Sequence, residues 1–269
     1  MKDPIKISVL GAAGRMGRML LKAIIENKGA SLVGATEQDG HKWIGQDIGK
    51  LMSGTENGIL VSNQPHDVIL QSQAIIDFTH PDVSVYYSAL AAQARIVHVI
   101  GTTGFSKSQL DKFELAAQHA IIIRAGNMSL GVNLLTVLTQ RVAKALSEDY
   151  DIEILEMHHN KKIDAPSGTA LMLGEAAANG RGVSLNNPAE NSIFELKAER
   201  KKGSIGFASL RGGDVVGEHD VIFSASGEQI ILRHVATDRM VFARGAVEAA
   251  IWGVSKEPGQ YNMTDVLGL

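Results

Sequence analysis

The sequence predicts an α/β fold: an N-terminal domain on a parallel sheet, then a C-terminal α+β domain with a mainly antiparallel sheet. Three observations carry this. In the first half, short β-branched runs alternate with helical patterns, the signature of parallel strands joined by crossover helices. A glycine-rich turn follows the first of those runs and opens the first helix. In the second half, three β-like runs follow one another with glycine-rich turns and no helix between them, which predicts antiparallel pairing.

Taken in order, residues 5–10 read as a buried strand and 15–27 as an amphipathic helix. Residues 31–37 form a second strand, and 40–58 a polar, glycine-rich loop. Strands are expected at 59–62 and 74–78, a helix at 82–93, and a strand at 96–100. Ser106 with Gln109 makes a capping box that opens a helix reaching His119. Residues 120–124 are the last strand of the alternation. Ser129 caps a long helix over 132–146, and 150–158 follows as a strand of mixed polarity. Ser167 is a second N-cap, for a helix to about residue 179. Residues 181–202 have weak periodicity and read as a loop. The three late strands fall at 205–210, 218–224 and 229–236, before an apolar helix at 241–254. Domain limits follow: 1–129 for the first domain, 130–238 for the second, and a C-terminal segment, 239–269, that packs back on the first.

Bulk properties exclude several function classes. A chain of 269 residues with 45% apolar and 20% charged residues can bury a sizeable core. Its net charge is −3, and Lys and Arg are scattered, so it carries no electrostatic footprint for nucleic acid or an acidic membrane. The start lacks the pattern of a signal peptide and no apolar run reaches the length of a membrane span, so a cytoplasmic location is expected. Cysteine is absent, which removes disulfides, thiolate metal sites and thioester chemistry.

The turn after the first strand reads Gly11-Ala12-Ala13-Gly14-Arg15-Met16-Gly17. Glycines there permit a tight turn, let the backbone approach a pyrophosphate, and let helix and strand pack closely. The helix N-terminus offers N–H groups and a positive dipole end to phosphates. A strand–helix turn without a ligand is the bland alternative. Glu37 weighs against it, because it ends the second strand where an acidic side chain bonds the adenosine ribose hydroxyls. The unit is therefore a Rossmann-like dinucleotide site for NADH or NADPH. Gln38 follows the acid where enzymes that favour a 2′-phosphate often carry Arg, so the pair leans to NADH, although Arg15 and Lys42 could compensate. Two further strand ends, Gly101-Thr102-Thr103-Gly104 and Ala125-Gly126-Asn127-Met128, are candidates to line the nicotinamide half; ordinary turn chemistry is their alternative.

A second chemical segment runs from His158-His159 through Asn160-Lys161-Lys162-Ile163-Asp164-Ala165-Pro166 to Ser167-Gly168-Thr169. Imidazole suits proton transfer near neutral pH. Lysine can hold a carboxylate or donate a proton, and backbone N–H groups at Gly168 and Thr169 suit an anion. A metal site is the competing reading. Adjacent histidines on a strand face opposite ways and no thiolate is available, which disfavours it. A solvated polar loop is the other alternative.

With both segments in view, the chain resembles the 4-hydroxy-tetrahydrodipicolinate reductases (dihydrodipicolinate reductases) over nearly its whole length. The resemblance rests on Gly14-Arg15-Met16-Gly17, Asp77-Phe78-Thr79, Gly101 to Phe105, His158 to Thr169, Ile205-Gly206-Phe207-Ala208 and Arg211 to His219. It implies hydride transfer to a cyclic dicarboxylate bound by the second domain. By position it makes His158 the proton donor or acceptor and Lys162 the second catalytic proton donor, with His159, Gly168 and Thr169 as substrate contacts. It makes Gly11, Ala12, Ala13, Gly14, Arg15, Met16, Glu37, Gly101, Thr102, Thr103, Ala125, Gly126, Asn127 and Met128 cofactor contacts, and places Arg239 near the active site. Many members carry Arg where this chain has Gln38, and Asn160-Lys161 departs from the family pattern. The resemblance also implies a homotetramer joined through the second domain's sheet. Two rivals stand beside it: another amino-acid-pathway dehydrogenase, and a non-catalytic redox sensor on the same nucleotide fold.

Overall fold

The computed structural model describes residues 3–185, 200 and 202–269. The described chain divides into two units, one of Met1–Leu130 with Met240–Leu269, the other of Gly131–Arg239.

In the first unit the alternation builds β1 (Ile5–Leu10), α1 (Arg15–Glu26), β2 (Ala30–Thr36), α2 (Ile48–Ser53), β3 (Val61–Ser62), α3 (Pro65–Ile69), β4 (Ala74–Asp77), α4 (Pro81–Ala94), β5 (Val97–Ile100), α5 (Lys107–Ala116) and β6 (Ile121–Arg124). The long helix α6 (Leu130–Ala145) falls, but for its first residue, in the second unit, and α8 (Met240–Gly253), β11 (Gly259–Tyr261) and α9 (Met263–Leu267) complete the first. The seven strands lie in the order β11-β6-β5-β4-β1-β2-β3, every pairing parallel. Chain order reverses between β1 and β4, and ligands of open α/β sheets bind outside the carboxyl ends at such a switch point. Helices cover both faces. Ile7, Val9, Ile76 and Val99 pack with Leu20, Ile24 and Val247 on one side. Leu10, Ile75, Ile100 and Ile122 meet Tyr87, Leu90 and Phe113 on the other. Strands buried on both faces need continuous apolar runs, and β4 and β5 are buried at every position. The capping box at the start of α5 forms: Ser106 Oγ accepts from Gln109 N, and Gln109 reaches back to Ser106 N.

The second unit holds β7 (Asp151–His158), α7 (Gly168–Arg181), β8 (Ile205–Arg211), β9 (Gly217–Ala225) and β10 (Glu228–Ala236). Its four-stranded sheet runs β10-β9-β7-β8. The β9–β10 and β7–β9 pairs are antiparallel, but β7–β8 is parallel. The expected antiparallel pairing therefore holds for the last two late strands and fails for the first. A parallel pair needs a crossover, and α7 supplies one between β7 and β8. The buried side alternates along β7 and β9 and packs Ile152, Ile154, Phe207, Val221 and Phe223 against Leu173 and Ala177 of α7. Ser167 caps α7, its hydroxyl accepting from Ala170 N at 3.1 Å.

Other expectations were incomplete. The 40–58 loop contains α2, whose N-cap Asp47 also accepts from Asn57 and Gly58 N. The tail after α8 adds a seventh strand to the sheet. The 181–202 loop lies largely outside the described residues, though Arg181 itself ends α7.

Candidate active site

In the first unit the glycine turn between β1 and α1 is built for close approach. Gly11 has φ +67°, a conformation that a Cβ disfavours. A Cβ on Gly17 would stand 2.1 Å from the Gly11 carbonyl oxygen, so only glycine lets α1 begin this close to the turn. The N-cap of α1 is Gly14, which has no side chain with which to cap the first-turn N–H groups. Glu37 lies at this turn, its Oε1 accepting from Ala13 N at 2.7 Å. A pyrophosphate on the backbone N–H groups and ribose hydroxyls on Glu37 fit this cradle.

Beyond it, Met16, Gly101, Ala125, Gly126, Asn127 and Met128 line one cavity of about 190 Å³ with Phe78 and Phe242. Six sequence-predicted residues thus come together, and the two phenylalanines were missed. A Cβ on Gly101 would stand 2.2 Å from the Phe78 ring, so glycine is what lets that ring lie against β5's end. Thr102 and Thr103 do not line the cavity. Thr103 is exposed, while Thr102 is buried and its hydroxyl lies 3.4 Å from Asp77 Oδ1. That oxygen also accepts from Thr79 N at 2.8 Å and Thr79 Oγ1 at 2.6 Å, stitching the ends of β4 and β5 together. Burial works to raise the Asp77 carboxyl, but His98, with Nε2 3.5 Å away, and the nearby hydroxyls hold it below the usual range.

In the second unit the chemistry gathers at the carboxyl end of β7. Glu156 and His158 are two residues apart on a strand and so share a face. His158 Nδ1 lies 2.5 Å from Glu156 Oε2. The parallel register sets Arg211, the last residue of β8, opposite His158. From there its two terminal nitrogens donate to the two oxygens of Glu156, at 2.8 Å each. Ser167 N, at the start of α7, donates to Glu156 Oε1 at 3.2 Å. Glu156 is fully buried. Burial would raise its carboxyl, but His158 and Arg211 bring it down to about 2.

Around this pair stand cations. Lys162 donates to both oxygens of Asp164, at 2.8 and 2.7 Å. The His159 ring is held below its ordinary value by desolvation and by the charges of Arg239, His158, Lys162 and Arg211. His219, on β9, is buried and pushed down to about 4 by desolvation and by His158, so it is neutral; its Nε2 lies 3.1 Å from Ser167 Oγ. Gly168 and Thr169 form the first turn of α7 beside these groups. The structure thus gathers all five sequence-predicted residues at one end of this sheet and adds Glu156, Arg211, His219 and Asp164. His159 lies just past β7, so strand alternation does not govern its direction. Among the described residues no group of three or more His, Asp or Glu side chains could hold a metal ion.

Known proteins match this chain along nearly its whole length. Residues 5–128 match the family model for the N-terminus of dihydrodipicolinate reductase, and 131–267 the model for its C-terminus. The chain is 58% identical over 269 residues to a 4-hydroxy-tetrahydrodipicolinate reductase of Cereibacter sphaeroides, covering 100% of both chains. It is 57% identical over 263 residues to that of Ruegeria pomeroyi, covering 98% of each. Among solved structures, a dipicolinate-bound dihydrodipicolinate reductase from a Paenisporosarcina species superposes with TM-score 0.75 at 26% identity, covering 96% of this chain and 97% of that one. An amine dehydrogenase of Mycobacterium smegmatis shares the fold at 13% identity and TM-score 0.67, covering 96% and 95%. This chain belongs to the dihydrodipicolinate reductase family.

Proposed function

We propose that the protein reduces 4-hydroxy-tetrahydrodipicolinate to tetrahydrodipicolinate with loss of water, in lysine and diaminopimelate biosynthesis. The observation that carries this is the end of β7, where the His158 imidazole sits on a buried carboxylate gripped by Arg211, and the neighbouring His159 feels the charges of Arg239, Lys162 and Arg211. Such a cluster matches a small dicarboxylate that needs a proton moved.

A bound pyridine nucleotide supplies the hydride. The residues that would hold it are Gly11 to Met16 at the phosphates, Glu37 at the ribose hydroxyls, and Gly101 to Thr103 with Ala125 to Met128 around the nicotinamide. NADH is the favoured form, because the Glu37 carboxylate repels a 2′-phosphate and Gln38 brings no compensating charge.

Lys162, His159 and the N–H groups of Gly168 and Thr169 hold the two substrate carboxylates. Fixing both fixes the ring, and orientation paid in advance is a large part of rate enhancement. His158 holds a proton at Nδ1 against Glu156 and presents Nε2 to the substrate, where it gives or takes the proton that accompanies reduction. Lys162, drawn away from Asp164 by a carboxylate, is the second proton donor. The protein works in the cytoplasm; no helix among the described residues is long and apolar enough to cross a membrane. It assembles as a homotetramer through the second unit's sheet, where Ile230, Ile231 and Val235 of β10 are exposed.

The test is spectroscopic. Substrate is generated enzymatically and NADH absorbance is followed with the product identified. Substrate-dependent oxidation yielding tetrahydrodipicolinate is expected. Cofactor binding without oxidation under any condition would instead favour a sensor.

A further inference from the structure

We infer that Glu156 is a positioning residue that fixes the tautomer of His158 and keeps its Nε2 toward the substrate, with Arg211 holding Glu156 in place. The inference rests on the assignment of proton handling to His158 made above.

An ionised carboxylate only accepts, so the 2.5 Å contact requires the proton on His158 Nδ1. The neutral ring is then the Nδ1–H tautomer, with its lone pair on Nε2. That contact is the ring's only hydrogen bond among the described residues. Nε2 lies over Gly217, where a Cβ would come within 3.1 Å, so the glycine at the start of β9 leaves that nitrogen room.

Glu156 in turn has little freedom. Arg211 grips both oxygens from β8, Ser167 N reaches one of them from α7, and the Arg211 guanidinium is anchored to the Asp164 carbonyl oxygen at 2.7 Å. Two layers therefore stand behind one ring nitrogen: a carboxylate that selects the tautomer, and a forked cation that fixes the carboxylate. The charged and titratable groups next to His158 are Glu156 from its own strand, Arg211 from β8, His219 from β9 and His159 from the following loop, with Lys162 acting on both His159 and His219. Of these, only Glu156 lies within hydrogen-bond distance of Nδ1. A carboxylate in this relation to a catalytic imidazole orients it, and its amide replacement leaves the shape but presents the wrong tautomer.

The full-length enzyme is measured as wild type, Glu156→Gln, His158→Ala and the double variant. Glu156→Gln is expected to lower kcat by roughly 10² to 10⁴. KM and the affinity for dipicolinate should stay within about threefold. Because the two residues act as a unit, the double variant should lose less than about threefold beyond His158→Ala. Histidine-selective ¹⁵N spectra of the wild type, assigned by the signal that His158→Ala removes, should show the neutral ring protonated at Nδ1. Near-wild-type kcat in Glu156→Gln while His158→Ala is inactive overturns the inference and leaves the proton assignment standing. Near-normal turnover in His158→Ala sinks both. The spectrum is read independently of turnover and of whether Glu156→Gln folds; a neutral ring protonated at Nε2 overturns the inference by itself.

Discussion

Replacing Arg211 by methionine removes the cation that grips Glu156 while keeping most of the aliphatic stem. The Glu156 side chain is 0% exposed and that of Arg211 is 21% exposed, with both nitrogen–oxygen contacts at 2.8 Å. Removing one partner of a buried pair costs about 3–5 kcal/mol. Here His158 and Ser167 N remain on the carboxylate and the arginine is partly solvated, so about 2–3 kcal/mol is expected. A second route gives a similar size. A carboxyl moved from 4.5 to about 2 contributes about 3 kcal/mol at neutral pH, at about 1.4 kcal/mol per pKa unit, and Arg211 supplies part of that. The sign follows from the depression. This stabilisation is full above the unfolded value of 4.5 and is lost as pH falls toward about 2. Equilibrium urea unfolding of wild type and variant should thus show a gap that is flat from about pH 8 to pH 5.5 and about 1 kcal/mol smaller by about pH 3.5. A gap under about 0.5 kcal/mol at neutral pH, or one unchanged down to pH 3.5, refutes the reasoning, since a buried ion pair must report on the charge of its carboxylate.

Three further outcomes follow from the same geometry. Gly101→Ala forces a Cβ to 2.2 Å from the Phe78 ring, so stability should fall by about 1–3 kcal/mol and NADH affinity by tenfold or so, read by cofactor fluorescence and thermal melts. Gln38→Arg adds a cation beside Glu37; the NADPH-to-NADH ratio of kcat/KM should rise by about tenfold or more, and a wild type that already prefers NADPH contradicts the charge argument. Ile231→Glu places a charge at a side chain that is 52% exposed on β10, and light scattering should show loss of the proposed tetramer without loss of secondary structure.

The first unit was legible because its strands are buried on both faces and so read as short apolar runs, each followed by a helical period. The glycine turn and Glu37 were legible for a different reason: Gly11 and Gly17 stand where no side chain fits. The second sheet was harder. Three late strands with no helix between them read as a meander, yet the 150–158 strand, the helix from Ser167 and the strand from 205 already formed a strand–helix–strand unit, the usual mark of a parallel pair. That misreading mattered, because only the parallel register brings Arg211 to His158. Glu156 was overlooked although period-2 alternation puts it on the face of His158; a lone glutamate in a strand gives no signal until its partners are known. Phe78 and Phe242 come to one cavity from β4's end and from α8, more than 160 residues apart in the chain, and no local pattern relates them. The helices α2 and α3 and the strand β11 are too short for periodicity to register.

The central claim is that the end of β7 performs the proton chemistry of a pyridine-nucleotide reductase. Its most direct test is steady-state turnover of His158→Ala on enzymatically generated 4-hydroxy-tetrahydrodipicolinate, with NADH binding measured on the same preparation. The account predicts kcat lower by roughly two to four orders of magnitude with NADH affinity unchanged. Near-normal turnover in this variant would contradict it.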